Sequence, residues 1–203
     1  MVANIRSGSS PGGALYYNKE KADKGEAEVL FRQKMLEPFD RYGRFDIDVC
    51  MESFMPYLEA NRRTINTVFH TSLNPSPEDK LTDEQLRDIA REYMERMGYG
   101  NQPYIVFKHK DISREHLHIV SLRVDELGRK LPHDFEARRS MEILRELERK
   151  YGLHLAPGKD SVRRERLREP GKTKYEIYDA IKGCLSKCKS WNDLEGRLKE
   201  QGI

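Results

Sequence analysis

Between Leu81 and Gly98 the apolar residues fall at helical spacing, with Leu86, Ile89, Ala90, Tyr93, Met94 and Met97 on one face. Thr82 followed three residues later by Gln85 makes a capping box, and Gly98 supplies the stop. Elsewhere the pattern is extended. The run "TINTVFHTSL", rich in β-branched residues and closed by "NPSP", predicts a strand. "PYIVFKHKD" and "EHLHIVSLRV" predict two more, joined as a hairpin by a short turn around Ile112 to Arg114. Both are apolar on each face, which predicts central strands covered on both sides.

Toward the N-terminus, "VANI" reads as a short strand, "RSGSSPGG" as a mobile loop, "ALYYNKEKADKG" as a helix stopped by Gly25, and "EAEVLF" as extended. A further helix is predicted between Phe45 and Asn61, kinked or opened by Pro56. Beyond the hairpin, Asp134 is expected to cap a helix ending at Tyr151, and Thr173 to box another reaching about Lys187. Ser190 and Asp193 are expected to cap a last short helix carrying Trp191 and Leu198. This order predicts an α+β fold: a central antiparallel sheet with helices packed on it, followed by C-terminal helices.

A chain of 203 residues can bury one sizeable core. Residues 1–155 are expected to form that core, and 156–203 a basic helical extension of the same domain. Charged residues make up 35% against 37% hydrophobic, and the net charge of +3 alone does not call for a nucleic-acid partner. The distribution says more. Lys and Arg gather in "KHKDISR", in "NRR" at Asn61 to Arg63, and in "GKDSVRRERLREPGKTK", local patches that could hold phosphate. Cys50, Cys184 and Cys188 fit reduced thiols. No apolar run approaches the ~18 residues of a membrane span, and the N-terminus lacks a signal-peptide core, so a cytoplasmic protein is expected.

Half of the six histidines lie in the stretch "HKDISREHLHIV". Alternation along a strand points His116 and His118 the same way. Antiparallel pairing of His109 with either of them brings all three rings to one side. Neutral imidazole is a common metal ligand, and three of them leave open positions for substrate oxygens and water. Asp111 is expected on the same face, accepting the second N–H of a ligand histidine. Three imidazoles do not select one reaction, so the nucleophile has to come from elsewhere in the chain.

The hairpin, together with "VFHTSLNPSPEDKLTDEQLRDIAREYMERMGYGNQPYIVFKHKD" and "HLHIVSLRVDELGRKL", resembles the core of plasmid mobilisation relaxases of the HUH endonuclease superfamily. The likeness covers roughly residues 10 to 155, and its most specific parts are "HLH", "HKD" and the entry to the capped helix. It implies that a tyrosine on the first helix attacks one DNA phosphodiester at an origin of transfer. A 5′-phosphotyrosine and a free 3′ hydroxyl result. "GALYYNKEK" resembles the motif that carries that residue; the family pattern points to Tyr17, with Tyr16 as the other candidate. A divalent cation, magnesium or manganese with zinc as the alternative, is implied on His109, His116 and His118. Phosphate contacts are expected from Arg62, Arg63, Lys108, Lys110 and the cluster Arg163, Arg164 and Arg166, and His70 could line the DNA path.

The implied partners are origin DNA as hairpin and single strand, accessory mobilisation proteins and a conjugative coupling protein. Relaxases are commonly longer than this chain, which is consistent with a trimmed nuclease domain or a small natural protein. Two other readings stay open at this point. In a rolling-circle replication initiator or transposase of the same superfamily the nucleophile follows the histidine pair, and "KYEIYDAIK" offers Tyr175 and Tyr178. A non-catalytic DNA-binding module would use the histidines to fix a structural ion in a closed shell.

Overall fold

The computed structural model describes residues 1–156, 165 and 167–203, so Arg163, Arg164 and Arg166 lie outside the described residues. The chain divides into two compact units, Met1–Ala156 and Pro157–Ile203. In the first, the strands β1 (Val2–Gly8), β2 (Ala27–Gln33), β3 (Val68–Asn74), β4 (Tyr104–His109) and β5 (His116–Leu122) form one antiparallel sheet in the order β1-β3-β5-β4-β2. The helices of this unit are α1 (Pro11–Asp23), α2 (Ile47–Ala60), α3 (Asp83–Arg96) and α4 (Glu136–Lys150). The predicted α+β class and the predicted order of elements are both present.

The hairpin strands are central, as their unbroken apolar runs require. Ile105, Phe107, Val120 and Leu122 pack on one face with Leu15, Phe45, Cys50 and Phe54, beneath α1 and α2. On the other face, Tyr104, Val106, Leu117 and Ile119 pack with Leu86, Ile89, Ala90, Tyr93, Ile143 and Leu147 of α3 and α4. Alternation along β4 and β5 thus feeds two cores, and each continuous run is explained by burial on both sides. The α3 capping box is closed in both directions, Thr82 Oγ1 accepting from the Gln85 N–H and Gln85 Oε1 accepting from the Thr82 N–H.

Several local expectations are corrected. The loop expected at Arg6–Gly13 is mostly structured: Arg6, Ser7 and Gly8 pair with His70, Phe69 and Val68 as the end of β1. Ser10 then caps α1, with Pro11 at its first turn. The helix α2 runs through Pro56, whose missing N–H costs little where both Pro56 and the residue a turn earlier, Glu52, face water. Asp134 does not cap α4. Phe135 takes that position at φ 49° without a side-chain cap, and Glu136 turns inward to a buried cation.

That cation is Arg123. Its guanidinium donates to both Glu136 carboxylate oxygens at 2.8 Å and to the Val68 carbonyl at 3.1 Å. In the second unit, α5 (Gly171–Leu185) and α6 (Trp191–Glu200) pack together. Thr173 lies inside α5 instead of at its cap, because Glu169 accepts both its N–H and its hydroxyl and so starts the helix earlier. Ser190 caps α6 by accepting from the Asp193 N–H, as expected.

Glu136→Ala would strand the Arg123 charge inside the protein and should cost about 3 kcal/mol of stability. Glu142→Ala, one helix turn and more away and paired, among the described residues, with exposed Arg138, should cost less than about 0.5 kcal/mol. Urea unfolding of the two variants checks the contrast.

Candidate active site

Register builds the site. His109 pairs with His116 at the turn end of the β4–β5 hairpin, and His118 pairs with Phe107 on one side and Ser72 on the other. His109 follows Phe107 and Ile105 by twos, and His118 and His116 precede Val120, so all three imidazoles continue the face covered by α1 and α2. Of the two pairings left open by the sequence, the structure takes His109 with His116. The ring centroids of His109 and His118 lie 4.2 Å apart, and those of His109 and His116 5.3 Å. One ligand atom from each of the three comes within 4.8 Å of the others.

Each imidazole has one nitrogen engaged by a neighbour. His109 Nε2 lies 2.8 Å from Asn18 Oδ1, His118 Nδ1 lies 3.1 Å from His70 Nε2, and His116 Nδ1 lies 3.4 Å from the Arg114 carbonyl. The amide of Asn18 is itself oriented, since Nδ2 donates to the Ala14 carbonyl at 2.7 Å and turns Oδ1 toward the histidine. His109 therefore carries its proton on Nε2. Its Nδ1 is buried with no hydrogen-bond partner. An orphaned lone pair in a group of three buried or half-buried imidazoles fits a divalent cation, with outer partners fixing each ring.

Electrostatics keeps these rings neutral. Burial lowers His109 to about 4, helped by the neighbouring His116, and lowers His118 to about 2, helped by His109. Burial also lowers His116, and it lowers His70 to about 4 with the charge of Arg6 adding to the effect. Neutral imidazoles offer lone pairs; imidazolium ions could not.

The helix α1 lies over this cluster and supplies the phenol. The Tyr17 ring stacks on His109 at 6.0 Å between centroids and lies 5.5 Å from His118 and 6.3 Å from His70. It is 41% exposed, so one edge faces solvent. Tyr16 points elsewhere, is 56% exposed, and has no ring contact with any of these histidines. One turn further along α1, Lys21 binds Asp111 at 2.8 Å and Glu26 at 2.9 Å.

Asp111 departs from the expected geometry: β4 ends at His109, and Asp111 sits in the turn. Its Oδ2 is held by Lys21, while its Oδ1 is buried without a hydrogen bond, 3.7 Å from His116 Nε2. That separation is too long for the histidine hydrogen bond expected of it. Burial opposes its charge, but Lys21 outweighs burial and keeps the carboxyl below its usual range.

The expected phosphate contacts divide. Lys108 is buried on the opposite face of β4, with its ammonium 2.5 Å from Asp83 and 2.8 Å from Glu28; it ties α3 to β2, and two carboxylates already neutralise it. Lys110 is half exposed and pairs with Glu28 at 3.1 Å. Arg62 and Arg63 are exposed in the turn that leads toward the start of β3, which pairs with the end of β5 away from the His109–His116 end of the hairpin. His70 enters the site directly, through His118. Asn18, Lys21 and Arg6 were not singled out from the sequence. For Asn18 the available signal was its place one residue after Tyr17, which puts the two side chains on adjoining sides of α1.

Residues 17–153 match the family described as "Relaxase: MobA/VirD2-like, nuclease domain". The chain belongs to the relaxase family. The matched span opens on Tyr17 and takes in His70, His109, Asp111, His116 and His118. None of the curated proteins matches the chain. Among the described residues of this relaxase, no helix is long and apolar enough to cross a membrane.

Asn18→Leu should leave the fold intact but free the His109 ring, weakening manganese or zinc binding about 10- to 100-fold by calorimetric titration. Unchanged affinity would mean that Asn18 has no part in orienting the ligand.

Proposed function

We infer that this relaxase domain nicks one DNA strand at an origin of transfer, by attack of the Tyr17 hydroxyl on a phosphodiester, for conjugative mobilisation. The observation that supports this most is the stacking of a half-exposed Tyr17 ring on a group of three neutral imidazoles. His109, His116 and His118 would hold a divalent ion, magnesium or manganese by family likeness and zinc as the alternative. When bound, such an ion neutralises charge on the non-bridging phosphate oxygens.

The rest of the chemistry is carried by the chain. Tyr17 Oη forms the new bond to phosphorus as the bond from phosphorus to the 3′ oxygen breaks. The phenolic proton leaves to water at the exposed edge of the ring, and the departing 3′ oxygen takes a proton to become a free hydroxyl. One phosphodiester is exchanged for another, a 5′-phosphotyrosine, so the step reverses readily and the strand can be rejoined. Asn18 and His70 hold His109 and His118 in place, and the packing of Leu15 against Ile105, Phe107 and Val120 keeps α1, and hence Tyr17, over the sheet. Origin DNA as hairpin and single strand, accessory mobilisation proteins and a coupling protein are the partners this reading implies.

Incubation of the chain with supercoiled plasmids carrying candidate origins and manganese should give open circles whose nicked 5′ end is blocked by protein. Tyr17→Phe should reduce attachment to background, Tyr16→Phe should retain it, and chelation of the metal should abolish it. Attachment that survives Tyr17→Phe and disappears with Tyr178→Phe would overturn the assignment and favour a nucleophile downstream of the histidines.

A further inference from the structure

Beside Tyr17, on the side away from His109 and His116, a cavity of about 300 Å³ opens between α1 and the outer strands β1 and β3, lined by Asn4, Arg6, Gly13, Ala14, Tyr17, His70, Ser72 and His118. The register explains this polar wall. Asn4 pairs with Ser72 and Arg6 with His70, while Ser72 pairs with His118, so the side chains of all five stand on the face that carries the histidines. Among the described residues of the first unit, no helix packs apolar side chains on this part of the face as Leu15 and Phe54 do on the hairpin, and Asn4 and Arg6 are exposed.

Charge singles out Arg6. Of the other cations around the site, Lys21 is held by Asp111 and Glu26, and Lys108 and Lys110 by Glu28. Among the described residues, no carboxylate pairs with Arg6, and it is exposed at the cavity wall. An unpaired guanidinium, with a forked set of donors, faces an opening that begins at the phenol. A planar fork of this kind fits the non-bridging oxygens of a phosphodiester. The volume matches the lower end of small-ligand pockets, ~300 Å³, and suits one nucleotide unit of a single strand.

We propose that Arg6, with Asn4 and Ser72, forms a binding subsite for the nucleotide adjoining the scissile bond, Arg6 holding its phosphate. The subsite rests on the relaxase reading and adds to it the direction in which the strand leaves Tyr17, across β3 and β1. Arg6 is thus a strand-positioning residue: it grips the phosphate next to the one that reacts, and it lies outside the span matched by the family.

The test uses the whole chain with a fluorescein-labelled single-stranded oligonucleotide of randomised sequence, with chelator present so that no cleavage occurs. Anisotropy is read across a range of salt concentrations. Arg6→Ala should bind about tenfold more weakly, as loss of a charge-assisted contact implies. The slope of log affinity against log salt should shrink by about 0.7, the value for one phosphate of a single strand. Arg6→Lys should keep the slope and recover part of the affinity. Manganese affinity should be the same in all three proteins, which a general disturbance of the site would not allow. Arg138→Gln, a charge removed from α4 on the other face, should leave the slope unchanged. If Arg6→Ala matches the wild type in affinity and slope while the wild type still nicks plasmid, the subsite is wrong and the relaxase reading stands. If the wild type neither binds the oligonucleotide nor nicks, both fall.

Discussion

The pairing of His109 with His116 is the constraint on which the rest of this structure depends. Strand alternation has a period of two, so a slip of one residue between β4 and β5 would send His116 and His118 to the face packed by α3 and α4. The slip is prevented by the apolar residues that follow: Ile105, Phe107, Val120 and Leu122 belong to one core, and Tyr104, Val106, Leu117 and Ile119 to the other. Burying both faces of the hairpin fixes the register, and the register gathers the imidazoles. Core packing and chemistry are here one requirement.

The first helix carries Tyr17, the nucleophile of the proposed reaction, to that cluster. Its buried residues are Pro11, Leu15 and Asn18, a face in which an amide takes the place of an apolar side chain. Leu15 docks the helix on the hairpin core and Asn18 engages His109, so Tyr17, between them in sequence, is carried to the edge of the cluster. Lys21 adds a second tie through Asp111 in the hairpin turn. Docking of α1 and orientation of the imidazoles are coupled through these contacts. The same helix walls the cavity that leads toward Arg6, so the proposed strand subsite and the phenol share one element.

Much of this was legible in the sequence because local pattern and burial agree. The capped helix from Thr82, the two-faced hairpin strands and the convergence of the three histidines all follow from periodicity and turn chemistry. What escaped depended on partners far away in the chain. Arg6 looked like part of a Gly- and Ser-rich loop, yet the ladder with His70 makes it a strand residue. Lys108 looked like a phosphate ligand in a basic run, but alternation points it to the opposite face, where Asp83 and Glu28 neutralise it. Asp134 looked like a cap until Arg123, buried and in need of a counter-charge, drew in Glu136. Basic residues are ambiguous in sequence because the same side chain serves a phosphate or a carboxylate, and only the fold decides which it meets.

The central claim, one ion held by the hairpin histidines beside the Tyr17 ring, is tested most directly by nuclear magnetic resonance during a manganese titration of the unmodified chain. A paramagnetic ion broadens signals according to their distance from it. The account predicts that resonances of Tyr17, Asn18 and the three histidines disappear at the lowest manganese ratio, while those of Tyr93, on the other face of the sheet, persist at that ratio. Loss of signals elsewhere first, with the Tyr17 ring untouched, would contradict it.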